Sequence, residues 1–163
     1  MLLVEADISP EWDRSTNWTA LARKAVAAAV ANSRHTSLAE RGAEVSIKFT
    51  SDAEVRALNA AWRGKDKATN VLSFPMAEPG DVAGAAMLGD IVLAHGVCAS
   101  EAAGRRIAVE VHAAHLVVHG MLHLLGYDHQ TSDEDAEEME GVERRALAAI
   151  GIADPYSVTE VQP

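Results

Sequence analysis

The 163-residue chain holds a single cysteine, Cys98. That excludes an internal disulfide and suits a reducing cytosol. Aromatic side chains are scarce, with three tryptophans, two tyrosines and two phenylalanines, so an extended base-stacking platform is not expected. The longest uninterrupted apolar run, Ala25 to Ala31, has seven residues, far short of the roughly 18 that suggest a membrane span. Glu5 and Asp7 interrupt the place where a signal peptide would carry its apolar segment, and a cytoplasmic protein with no membrane partner is expected. Cations are also few, 14 Lys/Arg against 24 Asp/Glu for a net charge of -10, which argues against a broad basic surface for nucleic acid. The deficit is uneven. Residues 1–67 carry ten Lys/Arg and nine Asp/Glu, whereas residues 68–163 carry four and fifteen, so a compact basic site remains possible in the first part. With 48% hydrophobic and 23% charged residues the composition is that of a soluble globular protein, and residues 1–163 are expected to form one domain.

Hydrophobic periodicity predicts the order βαβαββααα. Leu2, Val4, Ala6 and Ile8 alternate with Leu3, Glu5 and Asp7, and Val45, Ile47 and Phe49 within 43–50 alternate with Glu44, Ser46 and Lys48, each with the period of a half-buried strand. The alanine-rich segment 18–31 predicts a helix capped by Thr16 or Asn17. Ser51 and Glu54 form a capping-box pattern ahead of Val55, Leu58 and Trp62 at helical spacing, with Gly64 as the stop. Residues 70–75 and 89–94 predict short buried strands around an exposed loop at 76–87, and 33–42 predicts a polar loop. From His95 to Leu125 the chain predicts two helices broken near 104–106, the second apolar nearly all round and therefore central. A last helix is capped by Ser132 and Asp135, with Met139, Val142, Ala146 and Ile150 as its apolar stripe. The expected fold class is α+β, a small mixed sheet packed on helices around a central metal-binding helix.

Five of the seven histidines lie between His112 and His129 in an otherwise apolar stretch. His119 and His123 stand one helical turn apart on one face, where two imidazoles reach one ion. Gly126 can end the helix in a left-handed turn that returns His129 toward them. Three imidazoles on one Zn²⁺ leave its fourth position open, the arrangement of a catalytic ion. His112 and His115 share the face of His119, so they either line the cleft above the ion or are partly exposed. The spacing H-x-x-x-H-x-x-G-x-x-H is also that of metzincin proteases, whose general base follows the first histidine. Here that position is Gly120, which removes the proton acceptor of peptide hydrolysis.

The string HGMLHLLGYDH (119–129) resembles the signature of the YbeY family of single-strand-specific, metal-dependent endoribonucleases. LNAAWRGKDKATNVLSFP (58–75), LGDIVLA (88–94) and GIADPY (151–156) resemble its other blocks in the same order. The resemblance spans roughly residues 43 to 156. It implies zinc, one ion per chain, on His119, His123 and His129, and a functional arginine at Arg63. It further implies single-stranded and ribosomal RNA as substrate, in maturation of the 3′ end of 16S ribosomal RNA and in ribosome quality control. Ala68 and Asn70 stand where many relatives have proline and aspartate, which puts details of substrate contact in doubt.

Such an ion suits phosphodiester cleavage, since it lowers the pKa of water and withdraws charge from a phosphoryl oxygen. From spacing alone Arg63 is a solvated residue at a helix C-terminus. With the resemblance it becomes a phosphate clamp and, with His119, a catalytic residue; Lys65, Lys67 and His115 are then expected to contact substrate. Asp128 either orients a histidine or caps the turn before His129. The acidic helix from Asp133 to Glu143 is expected to be a solvated face, with docking of a basic partner such as a ribosomal protein as its alternative. Trp62, Phe74 and Tyr127 are expected in the core. The alternative functions are a metal-binding ribosome assembly factor with little catalysis, or a zinc metalloprotease.

Overall fold

A computed structural model describes residues 2–128 and 132–155. The strands are β1 (Leu3–Ile8), β2 (Glu44–Thr50), β3 (Val71–Pro75) and β4 (Met87–Ala94), and the helices α1 (Trp18–Ala31), α2 (Leu38–Arg41), α3 (Asp52–Arg63), α4 (His95–Arg105), α5 (Val109–Leu124) and α6 (Asp133–Ala149). The side chains of Asn17, Ser51 and Ser132 accept from the backbone N–H groups of Ala20, Glu54 and Asp135. All three predicted caps therefore start their helices. Arg106 adopts φ 57 between α4 and α5, which is the break expected near 104–106.

The four strands pair in the order β1-β2-β4-β3. β1, β2 and β4 run parallel, and β3 closes one edge antiparallel to β4. This is the small mixed sheet of an α+β fold. Strand alternation assigns the faces. Val45, Ile47 and Phe49 of β2, with Ile91 and Leu93 of β4, join the main core with α1, α5 and α6, while Val92 and Ala94 point the other way toward Leu72 and the Val55 of α3. α5 is central as expected: Leu116, Val117, Val118, Met121, Leu122 and Leu124 are all buried. It lies so close to the sheet that a Cβ on Gly120 would meet Ile91 and Ser73 side-chain atoms at 3.0 Å.

Three expectations fail locally. The polar loop 33–42 contains α2, whose Leu38 is fully buried; four residues are too few to show a helical period. The loop 76–87 is not simply exposed, because Pro79–Gly84 forms a 3-10 turn that buries Val82 and β4 begins at Met87. Trp62 is 73% exposed rather than part of the core. α3 packs chiefly on β3 and β4, and Trp62 with Leu58 lines an open groove of about 650 Å³ over this face of the sheet instead of a closed core. Among the described residues no single helix is long and apolar enough to cross a membrane, and α4 and α5, which would pass together, are bent by 115°.

Candidate metal centre and cleft

Helical periodicity aligns His112, His115, His119 and His123 along one face of α5, where they form one wall of a cavity of about 660 Å³. The rings of His119 and His123 approach with Nε2 atoms 3.2 Å apart. Two nitrogens bound to one tetrahedral ion at roughly 2.0–2.1 Å each would lie about 3.3 Å apart, so this pair already has the spacing of two ligands. Gly126 takes φ 97 after α5, and the N–H groups of Gly126 and Tyr127 bond to the carbonyls of His123 and Leu122, both at 3.0 Å. The helix therefore ends in the left-handed glycine turn that the sequence predicts. His129 lies outside the described residues, and among the described residues no three side chains converge as a metal shell.

Behind the pair sits Glu143 of α6. Its side chain is 1% exposed; Oε1 lies 2.9 Å from His119 Nδ1 and Oε2 lies 2.8 Å from His115 Nε2. Burial alone would raise this carboxyl, but hydrogen bonds from His115 and His119 and the electrostatic pull of those rings outweigh it and hold the pKa down at about 2. The carboxylate thus stays ionised in the core. The expectation that the acidic helix is a solvated face through Glu143 is corrected here. A signal for it was present: Glu143 falls among Met139, Val142, Ala146 and Leu147, the buried stripe of α6, where an unpaired carboxylate would be costly.

Arg63 enters from the far side of the sheet. It is the last residue of α3, which Gly64 ends at φ 69, and its guanidinium passes the edge strand β3, donating from Nη2 to the Ser73 carbonyl at 2.7 Å. The charge also lies 5.6 Å from the Phe74 ring centre, and Arg63 lines the same cavity as the histidines. Arg56 grips Asp66 through two hydrogen bonds, at 2.7 and 3.1 Å, and buried Asn59 donates to the Lys67 carbonyl at 3.0 Å. The turn after Arg63 is thereby fixed. Lys65 and Lys67 are exposed on it, and neither lines the histidine cleft; Lys67 lines a separate depression with Asp52 and Arg56.

At the other end of α5, His112 is buried and its Nε2 lies 2.8 Å from Glu101 Oε1, which also accepts from Asn70 Nδ2 at 3.0 Å. Burial lowers the His112 pKa, with Glu101 partly offsetting it. Of the two expected placements, His112 takes the cleft wall. Asn70 now has a local role, because its amide donates to Glu101 where an ionised aspartate could only accept. Asp128 lines the cleft near His123. Tyr127 is in the core, with its hydroxyl accepting from Arg34 N at 3.1 Å and the Arg34 guanidinium 4.2 Å over its ring; Phe74 packs at the border of the smaller core.

Position 120 also settles a point of geometry. A Cβ there would meet side-chain atoms of Ile91 and Ser73 at 3.0 Å, so a metzincin carboxylate at this position would be crowded against the sheet. What remains is a pair of convergent imidazoles facing a fixed guanidinium. The family model described as Endoribonuclease YbeY matches residues 8–151. The chain belongs to the YbeY family. It is 50% identical over 165 residues to the Endoribonuclease YbeY of Novosphingobium aromaticivorans, covering 97% of this chain and 98% of that one. It is 48% identical over 169 residues to that of Rhizorhabdus wittichii, with 98% and 99% covered. Among solved structures, the solution structure of a Thermotoga maritima protein matches with a TM-score of 0.56 and 25% identity, covering 92% of this chain and 91% of that one. YbeY membership thus spans both the sheet and the histidine helix.

Proposed function

We propose that this chain is a single-strand-specific, zinc-dependent endoribonuclease of ribosomal RNA maturation and ribosome quality control, working in the cytoplasm. The relatives named Endoribonuclease YbeY, matched over nearly their whole length, support RNA phosphodiester hydrolysis. The observation that carries the site is the convergence of His119 and His123 Nε2 across one cleft from Arg63. His119, His123 and His129 would hold one Zn²⁺, which when bound lowers the pKa of water and draws charge from a phosphoryl oxygen.

The chain's own residues supply the rest. Arg63, braced on the Ser73 carbonyl, holds the scissile phosphate with a planar, permanent charge and stabilises the negative charge that grows on it. The exposed Lys65 and Lys67 extend the contact to neighbouring nucleotides, while His115, engaged by Glu143, shapes the cleft wall. A cavity of about 660 Å³ is large enough to take a short stretch of single strand. The outward acidic side of α6, from Asp133 to Glu140, offers a docking surface for a basic ribosomal protein.

The test is cleavage of a single-stranded ribosomal RNA fragment and of its duplex, by wild-type protein with and without chelator and by Arg63→Ala. Chelator-sensitive cutting of the single strand alone, lost in Arg63→Ala, is expected. Salt-dependent binding without turnover would instead assign the chain to assembly rather than catalysis.

A further inference from the structure

Helical spacing alone does not decide where an ion sits on α5. His115 and His119 are four residues apart, and so are His119 and His123, so both pairs present two imidazoles one turn apart. The rings differ in how they meet, with centres 6.4 Å apart in the first pair and 4.8 Å in the second. We infer that Glu143 selects the second pair: its buried carboxylate holds His119 and His115 at once and thereby fixes which imidazole nitrogens face the ion. The inference rests on the zinc assignment to His119 and His123 proposed above.

The chemistry follows from the carboxylate being an acceptor only. His119 Nδ1 faces Oε1 at 2.9 Å and must carry its proton there, which puts the ring's lone pair on Nε2, the nitrogen 3.2 Å from His123 Nε2. His115 meets the other oxygen through Nε2 at 2.8 Å. That nitrogen carries its proton, and the ring's lone pair lies on Nδ1, which is buried. One side chain therefore prepares His119 as a ligand and withholds His115. Glu143 is a positioning residue, acting through the two rings without touching substrate.

The test is zinc affinity, measured by competition with a chromophoric chelator on the full chain, for wild type, His115→Ala, Glu143→Gln, Glu143→Ala and the Glu143→Ala/His115→Ala double variant. His115→Ala is expected to stay within about twofold of wild type, and Glu143→Ala to bind zinc about 10–100-fold more weakly. Glu143→Gln falls between, since its amide oxygen still accepts from His119 Nδ1. Without Glu143 the His115 ring is released to compete, so the double variant binds at least about threefold more weakly than Glu143→Ala, a coupling absent when Glu143 is present. Nitrogen-15 NMR of the metal-free rings is expected to show the proton of His119 on Nδ1 in wild type. Glu143→Gln keeps the shape of the site, so if Glu143→Ala fails to fold, weaker zinc binding at an unchanged melting temperature decides on Glu143→Gln alone. Affinity within twofold of wild type for both Glu143 variants overturns the inference and leaves the zinc site standing. So does a loss in His115→Ala as large as that in Glu143→Ala. A wild-type chain that binds no zinc overturns both.

Discussion

The two ends of α5 carry the same kind of pair, a histidine against a glutamate at 2.8–2.9 Å, in opposite arrangements. At the C-terminal end the carboxylate is buried, 1% exposed, and serves two rings that open on the cleft. At the N-terminal end the histidine is the buried partner, 5% exposed, and its Glu101 is 41% exposed. In a folded interior the buried member of a pair is the one whose charge state the structure dictates. Glu143 is therefore held ionised as a fixed acceptor, whereas His112 is held neutral as a packing residue. One end holds two cleft histidines on a single buried carboxylate, and the other fastens α5 to α4 and to the strand that follows Asn70.

The contrast breaks most sharply at the end of α5 that carries His119 and His123. His123→Ala removes one of the two convergent nitrogens, and single-stranded RNA cleavage is expected to fall below about 1% of wild type in a fixed-time gel assay, with circular dichroism unchanged. Arg63→Ala is expected to cost about 10²–10³ in rate at normal zinc content, and Arg63→Lys to restore little, because an ammonium lacks the fork. At the other end the effects belong to stability. His112→Ala is expected to lose about 1–2 kcal/mol in urea unfolding while zinc affinity stays within about twofold.

A pH profile sharpens the same contrast at the smallest scale. Burial lowers the His112 pKa below its ordinary 6.5, so the folded protein resists the proton that the unfolded chain accepts. Its contribution is fully present above pH 6.5 and is lost as pH falls through the lowered folded value. Stability of the metal-free chain between about pH 7 and pH 5 is expected to fall in wild type and to fall less in His112→Phe; equal slopes would remove His112 from the account.

Much of this was legible in the sequence because it is periodic. Period-2 alternation placed β1 and β2, the capping side chains of Asn17, Ser51 and Ser132 started their helices, and an all-round apolar pattern marked α5 as central. The i, i+4 spacing put His119 and His123 on one face, and their rings do meet there, while His129 lies outside the described residues. What stayed hidden depends on neighbours distant in the chain. Glu143 is 24 residues from His119, and its burial follows from how α6 packs on α5, although its place on an apolar stripe was a readable anomaly. Arg63 reaches the cleft only because α3 crosses the sheet beside a free edge strand, which no local pattern states. Trp62 failed because helical spacing says which side of α3 it shares with Val55 and not that this face of the sheet stays partly uncovered beneath it.

The most direct measurement is zinc stoichiometry, by equilibrium dialysis and elemental analysis, on wild type, His119→Ala, His123→Ala and His112→Ala. One tightly held ion per chain in wild type and His112→Ala, with none retained by the other two, is the result expected. A full equivalent of zinc in His123→Ala would contradict the account.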